Sequence, residues 1–403
     1  MTHHARLPYF GLFLCLGTAF GCGDDAPPPG PGSAGASQVG GTGGASTAGA
    51  GGSSTSGAGS GGTSPVGGTS GAGATTGGTT AGNGGVGGAS GSAGAGGSAG
   101  AGGSAGAAGG SGSDRKFVGN ITTGFNAALD TGGRVFSTHW DQVTPENAGK
   151  WGSVQSNASA SFKWDTLDGI YDYAQKKGII FKQHTFVWGS QQPSGTLTET
   201  HVKAWMKEFC ARYPNTRLID VVNEPPPHTT PSYANAIGGG TDGSWQWIVN
   251  SFKWAREACP NAILIINDYN NIEYGDQNQH FIDIVKTAKA AGAPIDAVGA
   301  QAHGLSGNIS TATMKSLVTK LHTETGLPVY ITEYDIDLAD DNAQLGRYKE
   351  HFPFFLDTEW IHGVTIWGWV YGQTWVPASG LIKNGAPRPA MTWLMDELDR
   401  PAP

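Results

Sequence analysis

From Asp114 onward, short apolar runs alternate with longer stretches in which apolar residues recur every three to four positions. The runs are Ile179-Ile180-Phe181, Leu218-Ile219-Asp220-Val221-Val222, Ala262-Ile263-Leu264-Ile265-Ile266, Ile295-Asp296-Ala297-Val298-Gly299, Pro328-Val329-Tyr330-Ile331 and Gly363-Val364-Thr365-Ile366. Weaker strand candidates at Phe117–Asn126 and Val135–His139 bring their number to eight. Helical spacing covers Asp165–Lys177, Thr198–Tyr213, Ser244–Ala258, Gln277–Ala291, Thr311–Thr325 and Asp341–Leu356. Strands that alternate with helices in this way predict an α/β fold with a parallel sheet, and eight such units predict a closed (β/α)8 TIM barrel over residues 114–403.

The residues that follow each run change the picture from fold to chemistry. His184-Thr185-Phe186-Val187-Trp188 follows one run and Asn223-Glu224 ends the next. Then come Asn267-Asp268, Gln301-Ala302-His303, Glu333-Tyr334-Asp335 and Trp367-Gly368-Trp369. Polar and aromatic side chains thus gather at the carboxyl ends of strands, the face on which barrel active sites are built. A single His or Glu at a strand end is ordinarily a satisfied rim residue. Six successive strands ending this way are hard to explain by packing.

Glu224 and Glu333 close the fourth and seventh runs. At such positions two carboxyls can face each other across the mouth of a barrel and flank a bond between sugars, one as nucleophile and one as proton donor. Asn223 is placed to hydrogen-bond a sugar 2-hydroxyl, and His303 with Asp335 to orient Glu333 and keep it ionised. Glu224 must then stay protonated near neutral pH, which requires desolvation and the like charge of Glu333. Trp188, Trp367 and Trp375, and more weakly Tyr171, Tyr269 and Tyr371, offer stacking faces for pyranose rings. Trp140, Trp164, Trp205, Trp254 and Trp393 are assigned to helices and core.

Composition delimits this domain. Of 66 glycines, 35 fall between Pro31 and Ser113, a stretch without a charged residue, an aromatic or a cysteine, whereas all 13 tryptophans follow Asp114. Residues 23–113 therefore read as a disordered Gly/Ala/Ser/Thr linker, whose coil span is about 50 Å. Removing Arg6, Asp24 and Asp25 leaves 23 basic and 30 acidic residues in the domain, a net of −7, which argues against a nucleic-acid partner. Residues 1–22 read as a signal peptide, because the apolar run Tyr9–Phe20 is too short for a hydrocarbon core about 30 Å thick. Ala19-Phe20-Gly21-Cys22 resembles a lipoprotein cleavage box, so the expectation is an exported chain lipid-anchored through Cys22, otherwise secreted, and monomeric. Cys210 and Cys259 either pair in the exported domain or remain two buried thiols. The Asp, Glu and His residues show no HExxH-type spacing, and neither a metal nor a cofactor is expected.

Taken together, Thr144-Pro145-Glu146-Asn147-Ala148-Gly149-Lys150-Trp151, His184–Trp188, Asp220–Glu224, Gln301–His303, Ile331–Ile336 and Trp367–Trp369 resemble glycoside hydrolase family 10, the endo-β-1,4-xylanases. The resemblance spans Asp114–Arg400. It implies Glu224 as acid/base and Glu333 as nucleophile of a retaining double displacement on xylan or xylo-oligosaccharides. It also implies Glu146, Asn147 and Lys150 at the sugar two subsites to the non-reducing side of the cleavage point. His184, Trp188, Asn223, Gln301 and His303 would surround the sugar at the scissile bond, with Trp367 as its floor. Trp375 would lie over the position where a hexose carries its CH₂OH group, favouring xylose by a clash. Gly189, Ile219, Val376 and the loop Pro225-Pro226-Pro227-His228 depart from the family pattern and bear on the aglycone side. The competing readings are a related β-glycanase acting on cellulose or mixed-linkage glucan, and a non-catalytic surface carbohydrate-binding protein.

Overall fold

A computed structural model describes residues 116–122, 129–307 and 309–403. The signal and linker segments, Cys22 and the end of the first strand candidate (123–126) lie outside the described residues. Eight parallel strands close into a barrel in sequence order: β1 (Phe117–Ile121), β2 (Gln142–Thr144), β3 (Ile180–Trp188), β4 (Leu218–Asn223), β5 (Ile263–Asp268), β6 (Ala297–Ala300), β7 (Val329–Tyr334) and β8 (Ile361–Ile366). The ring closes through β1 and β8, with Phe117 opposite Gly363 and Asn120 opposite Ile366.

Two short helices, α1 (Phe136–His139) and α2 (Trp151–Val154), flank β2. The outer ring consists of α3 (Asp165–Lys177), α4 (Glu199–Arg212), α5 (Gln246–Ala258), α6 (Gly275–Ala290), α7 (Thr311–Thr325), α8 (Asp341–Asp357) and α9 (Pro389–Glu397). Side-chain caps fix where two of them start. Ser310 accepts from the Thr313 N–H and Asp340 from the Ala343 N–H, each worth about 1 kcal/mol.

The strand expected at Val135–His139 is instead α1, and the second strand is Gln142-Val143-Thr144. Its two polar residues point into the barrel, where Gln142 donates to Thr144 Oγ1 at 2.7 Å and accepts from Thr365 Oγ1 at 2.8 Å. A strand satisfied by polar partners leaves no apolar run to read.

The barrel interior is layered. Phe117, Leu218, Ile265, Ala297 and Tyr330 form a small apolar cluster drawn from β1, β4, β5, β6 and β7. Residues from strands on opposite sides of the ring can meet only inside it. Two residues further along β4, the interior turns ionic at Asp220, and two further along β5 and β7 it turns polar at Asn267 and Thr332. The main core lies between sheet and helices and holds Trp140, Trp205 and Trp247 at 1 % exposure or less. Tyr171, expected as a stacking face, belongs to this core. It packs edge-on against Phe181, and its hydroxyl accepts from Asn215 N at 3.1 Å. Tyr371 has both Lys383 and Arg388 over its ring. Cys210, in α4, is bonded to Cys259 just after α5, with the Cα atoms 5.5 Å apart.

Candidate active site

Glu224 follows the last residue of β4 and adopts φ 51°, a left-handed conformation that a side-chain-bearing residue rarely takes. Three bonds hold it there. Its N–H donates to Asn267 O at 2.8 Å, and its carbonyl accepts from Thr229 N at 3.1 Å and Thr229 Oγ1 at 2.7 Å. Such a backbone costs about 1–3 kcal/mol and persists only where its surroundings fix it. The carboxyl Oε2 accepts from the Trp188 indole at 2.8 Å, and Oε1 accepts from Asn223 at 3.2 Å and Gln301 at 3.3 Å. Burial, reinforced by the charge of Glu333, raises this carboxyl above the ordinary carboxylate range.

Glu333 lies in β7 and is 4 % exposed. Its Oε1 accepts from Asn267 Nδ2 at 2.7 Å, and its Oε2 lies 3.3 Å from His303 Nε2. The Asn267 amide is turned by Thr332, whose hydroxyl donates to Asn267 Oδ1 at 2.6 Å. Asn267 Nδ2 also donates to Asn223 Oδ1 at 2.8 Å. One chain of hydrogen bonds therefore runs Glu224–Asn223–Asn267–Glu333. Burial pushes Glu333 upward, but His184, His303 and Lys182 outweigh it and hold the carboxyl at about 2.

Two ionic relays converge on Glu333. In one, His303 Nδ1 lies 2.9 Å from Asp335 Oδ2, which also accepts from the Trp375 indole at 3.1 Å. Trp375 stands edge-on to the His303 ring, with centroids 4.8 Å apart. Burial opposes the imidazolium, yet Asp335 and Glu333 carry His303 well above its ordinary value. In the other, Asp220 Oδ2 accepts from Lys182 Nζ at 2.6 Å and pairs with His184 Nδ1 at 2.9 Å, and that nitrogen is 3.8 Å from Glu333 Oε1. His184, Asp220 and Glu333 are the one grouping among the described residues with metal-ligand spacing. The Lys182 ammonium already neutralises its central carboxylate, so the arrangement is that of an ion-pair network.

The remaining expected residues line the same mouth. Lys150 Nζ donates to Asn147 Oδ1 at 2.9 Å and stands 5.2 Å from the Trp188 ring centre. Burial lowers its ammonium, against the charges of Glu333, Glu146 and Glu224. Trp367 is buried and presents its ring to His184 at 5.3 Å. Gln301 also donates to Asn223 Oδ1 at 3.2 Å. Tyr269 is stacked on His228 at 3.7 Å, and His228 is gripped by Asp268 at 2.7 Å and Gln277 at 2.8 Å. Burial pushes Asp268 up to about 7. Lys182, Thr332, Gln277 and Glu273 carried no sequence signal beyond being polar residues in or beside apolar segments. The disulfide joins two outer helices.

The fold and site define a (β/α)8 barrel with two buried carboxyls at the carboxyl ends of its strands, Glu333 held below the ordinary carboxylate range and Glu224 raised above it. A sequence model of glycosyl hydrolase family 10 matches residues 113–397. The chain belongs to that family. It is 45 % identical over 290 residues to endo-1,4-beta-xylanase B of Cellvibrio japonicus (strain Ueda107), covering 70 % of this chain and 46 % of that protein. It is 30 % identical over 282 residues to endo-1,4-beta-xylanase A of Phanerodontia chrysosporium, covering 63 % of this chain and 64 % of that one. It thus spans less than two thirds of either relative. The GH10 structure from Paenibacillus barcinonensis superposes with a TM-score of 0.63 at 23 % identity, over 71 % of this chain and 96 % of that one, a likeness of fold.

Proposed function

We propose that the domain is an endo-β-1,4-xylanase that hydrolyses internal xylosidic bonds with retention of configuration. The observation that carries this is the division of labour between the two carboxyls. Glu333 is held ionised at about 2 by two imidazoles and a lysine, while burial and the charge of Glu333 raise Glu224. A nucleophile and an acid must differ in this sense at the same pH.

In the first step a Glu333 carboxylate oxygen bonds to the anomeric carbon. The glycosidic C–O bond breaks, and the leaving oxygen takes the Glu224 proton. In the second, Glu224, now ionised, removes a proton from water, whose oxygen bonds to the same carbon and releases Glu333. The Asn223–Asn267 chain holds both carboxyls in register through both steps. Lys150, Asn147 and Glu146 bind the neighbouring sugar, and Trp375 closes over C5 of the xylose, where a hexose would carry an additional group. We propose in addition that the chain is exported and acylated at Cys22, which would present the enzyme to an insoluble polymer at a cell surface.

The test is release of reducing ends from xylan by wild type, Glu333→Ala and Glu224→Ala. Both variants should lose nearly all turnover, and Glu224→Ala should recover part of it on aryl xylosides whose leaving group needs little protonation. Near-normal xylan hydrolysis by either variant refutes the proposal. A higher kcat/KM on aryl cellobioside than on aryl xylobioside would assign the machinery to a glucan.

A further inference from the structure

Glu273, on the segment between β5 and α6, is 2 % exposed and touches neither Glu224 nor Glu333 through any bond described above. Both its oxygens are spent on main chain. Oε2 accepts from Ile272 N at 3.0 Å and Oε1 from Gly304 N at 3.3 Å. Gly304 is the second residue of a 3₁₀ turn, His303–Ser306, that follows β6. The approach is close enough that a Cβ at 304 would lie 2.8 Å from Glu273 Cγ. Just before the turn, Ala302 has φ 66°. The chain thus leaves β6 in a conformation that L residues seldom hold, and Glu273 secures its far side.

What this short segment carries gives the contact its meaning. Gln301, on one side of Ala302, reaches Glu224 and Asn223. His303, on the other, reaches Glu333 and Asp335. We propose that Glu273 is a positioning residue for the reaction: by holding the Gly304 N–H it aims the Gln301 amide at Glu224 and the His303 imidazole at Glu333. This rests on the reading of those two glutamates given above.

An amide cannot stand in for this carboxylate. Both oxygens face N–H donors, so glutamine must turn its NH₂ group toward one of them and break the clamp. The consequence for proton affinity has a definite sign. The Gln301 bond lowers Glu224 and the His303 bond lowers Glu333. The charged groups bearing on Glu273 are His303 and Asp335, and those bearing on His303 are Asp335 and Glu333. A segment that slackens raises both catalytic carboxyls together.

The experiment compares wild type, Glu273→Gln and Gly304→Ala on an aryl xylobioside across pH. The second variant keeps the carboxylate and presses on the same contact from the other side, so it decides if the first does not fold. In a folded variant kcat should fall about tenfold or more, the scale of a small misplacement of catalytic groups, with KM within about twofold. Both limbs of the kcat/KM profile should move to higher pH. A merely structural loss lowers the amount of active enzyme and leaves both limbs in place, and unmoved limbs or an unchanged kcat overturn the proposal. A side-chain nitrogen NMR titration of His303 reads the same coupling without substrate. Its imidazolium should deprotonate at lower pH in the variants, and an unchanged titration overturns the proposal even if wild type proves inactive on xylosides, an outcome that would sink the activity reading separately.

Discussion

His303→Asn removes the imidazole that touches Glu333 Oε2 and keeps a polar group facing Asp335. Glu333 is held at about 2 against an ordinary value of 4.5, a difference of about 2.5 units (4.5 − 2), or about 3 kcal/mol in favour of the ionised form. Burial works against ionisation, so the favourable contributions together exceed that figure. They come from the charge of His184, the hydrogen bond and charge of His303, and the charge of Lys182. His303 supplies two of these four, and removing an opposite charge at this range raises a carboxyl by about one pH unit or more. A nucleophile is active only when ionised, so activity disappears as pH falls through its pKa, and a higher pKa brings that loss to higher pH. The acid limb of kcat/KM on an aryl xylobioside should therefore move from near pH 2 to about 3–4. Each acid point is followed by return to neutral pH, to separate titration from unfolding. An acid limb that stays put in the folded variant refutes the account of how Glu333 is kept charged.

Trp375 is 53 % exposed and is tied down by its indole bond to Asp335 and its edge contact with His303. Trp375→Ala should lower activity on both substrates yet raise the aryl cellobioside to aryl xylobioside ratio of kcat/KM by about tenfold or more, since excluding one small group is worth about 1–3 kcal/mol; an unchanged ratio removes the tryptophan from specificity. The bond between Cys210 and Cys259 closes a loop of 49 residues, which the chain-entropy relation values at about 4 kcal/mol. Replacing both with serine should lower the unfolding free energy by that order, read as a lower denaturant midpoint at the same slope, and leave KM unchanged, because the bond joins outer helices, whereas an equal midpoint contradicts its role.

Sequence revealed most where burial is apolar. Leu218–Val222, Ala262–Ile266 and Val329–Ile331 are read as strands because both of their faces are dry, and the structure places strands there. Asp165–Lys177 and Thr311–Thr325, whose apolar spacing predicts helices, are helices over those residues. The second strand escaped because its inward residues, Gln142 and Thr144, are satisfied by each other and by Thr365. One apolar residue between two polar ones resembles a loop when the outside partner, Thr365, lies 223 residues away. Tyr171 shows the converse error, since an aromatic near a site is read as a platform until its packing against Phe181 and Tyr213 is seen.

The site was legible at strand ends, where Glu224, Gln301, His303 and Glu333 break apolar runs. What lies behind those residues was not. Lys182 stands in a strand beside Gln183, His184 and Thr185, and nothing in that pattern names Asp220 as its buried partner. Asn267 stood out as a strand-end amide, but only three-dimensional proximity shows one nitrogen serving both Asn223 and Glu333. Glu273 spends its oxygens on main-chain N–H groups, and such contacts leave no trace in side-chain patterns.

The assignment of Glu333 as the attacking group is tested most directly by trapping the sugar on it. A 2-deoxy-2-fluoro xylobioside with a good leaving group slows both chemical steps and lets the glycosyl-enzyme accumulate. Peptide mass mapping should then find one fluoroxylobiosyl group, carried by the Glu333 peptide, and none in Glu333→Ala. A label on Glu224 or any other carboxylate, or steady hydrolysis of xylan with inversion and no adduct, would contradict the division of roles set out here.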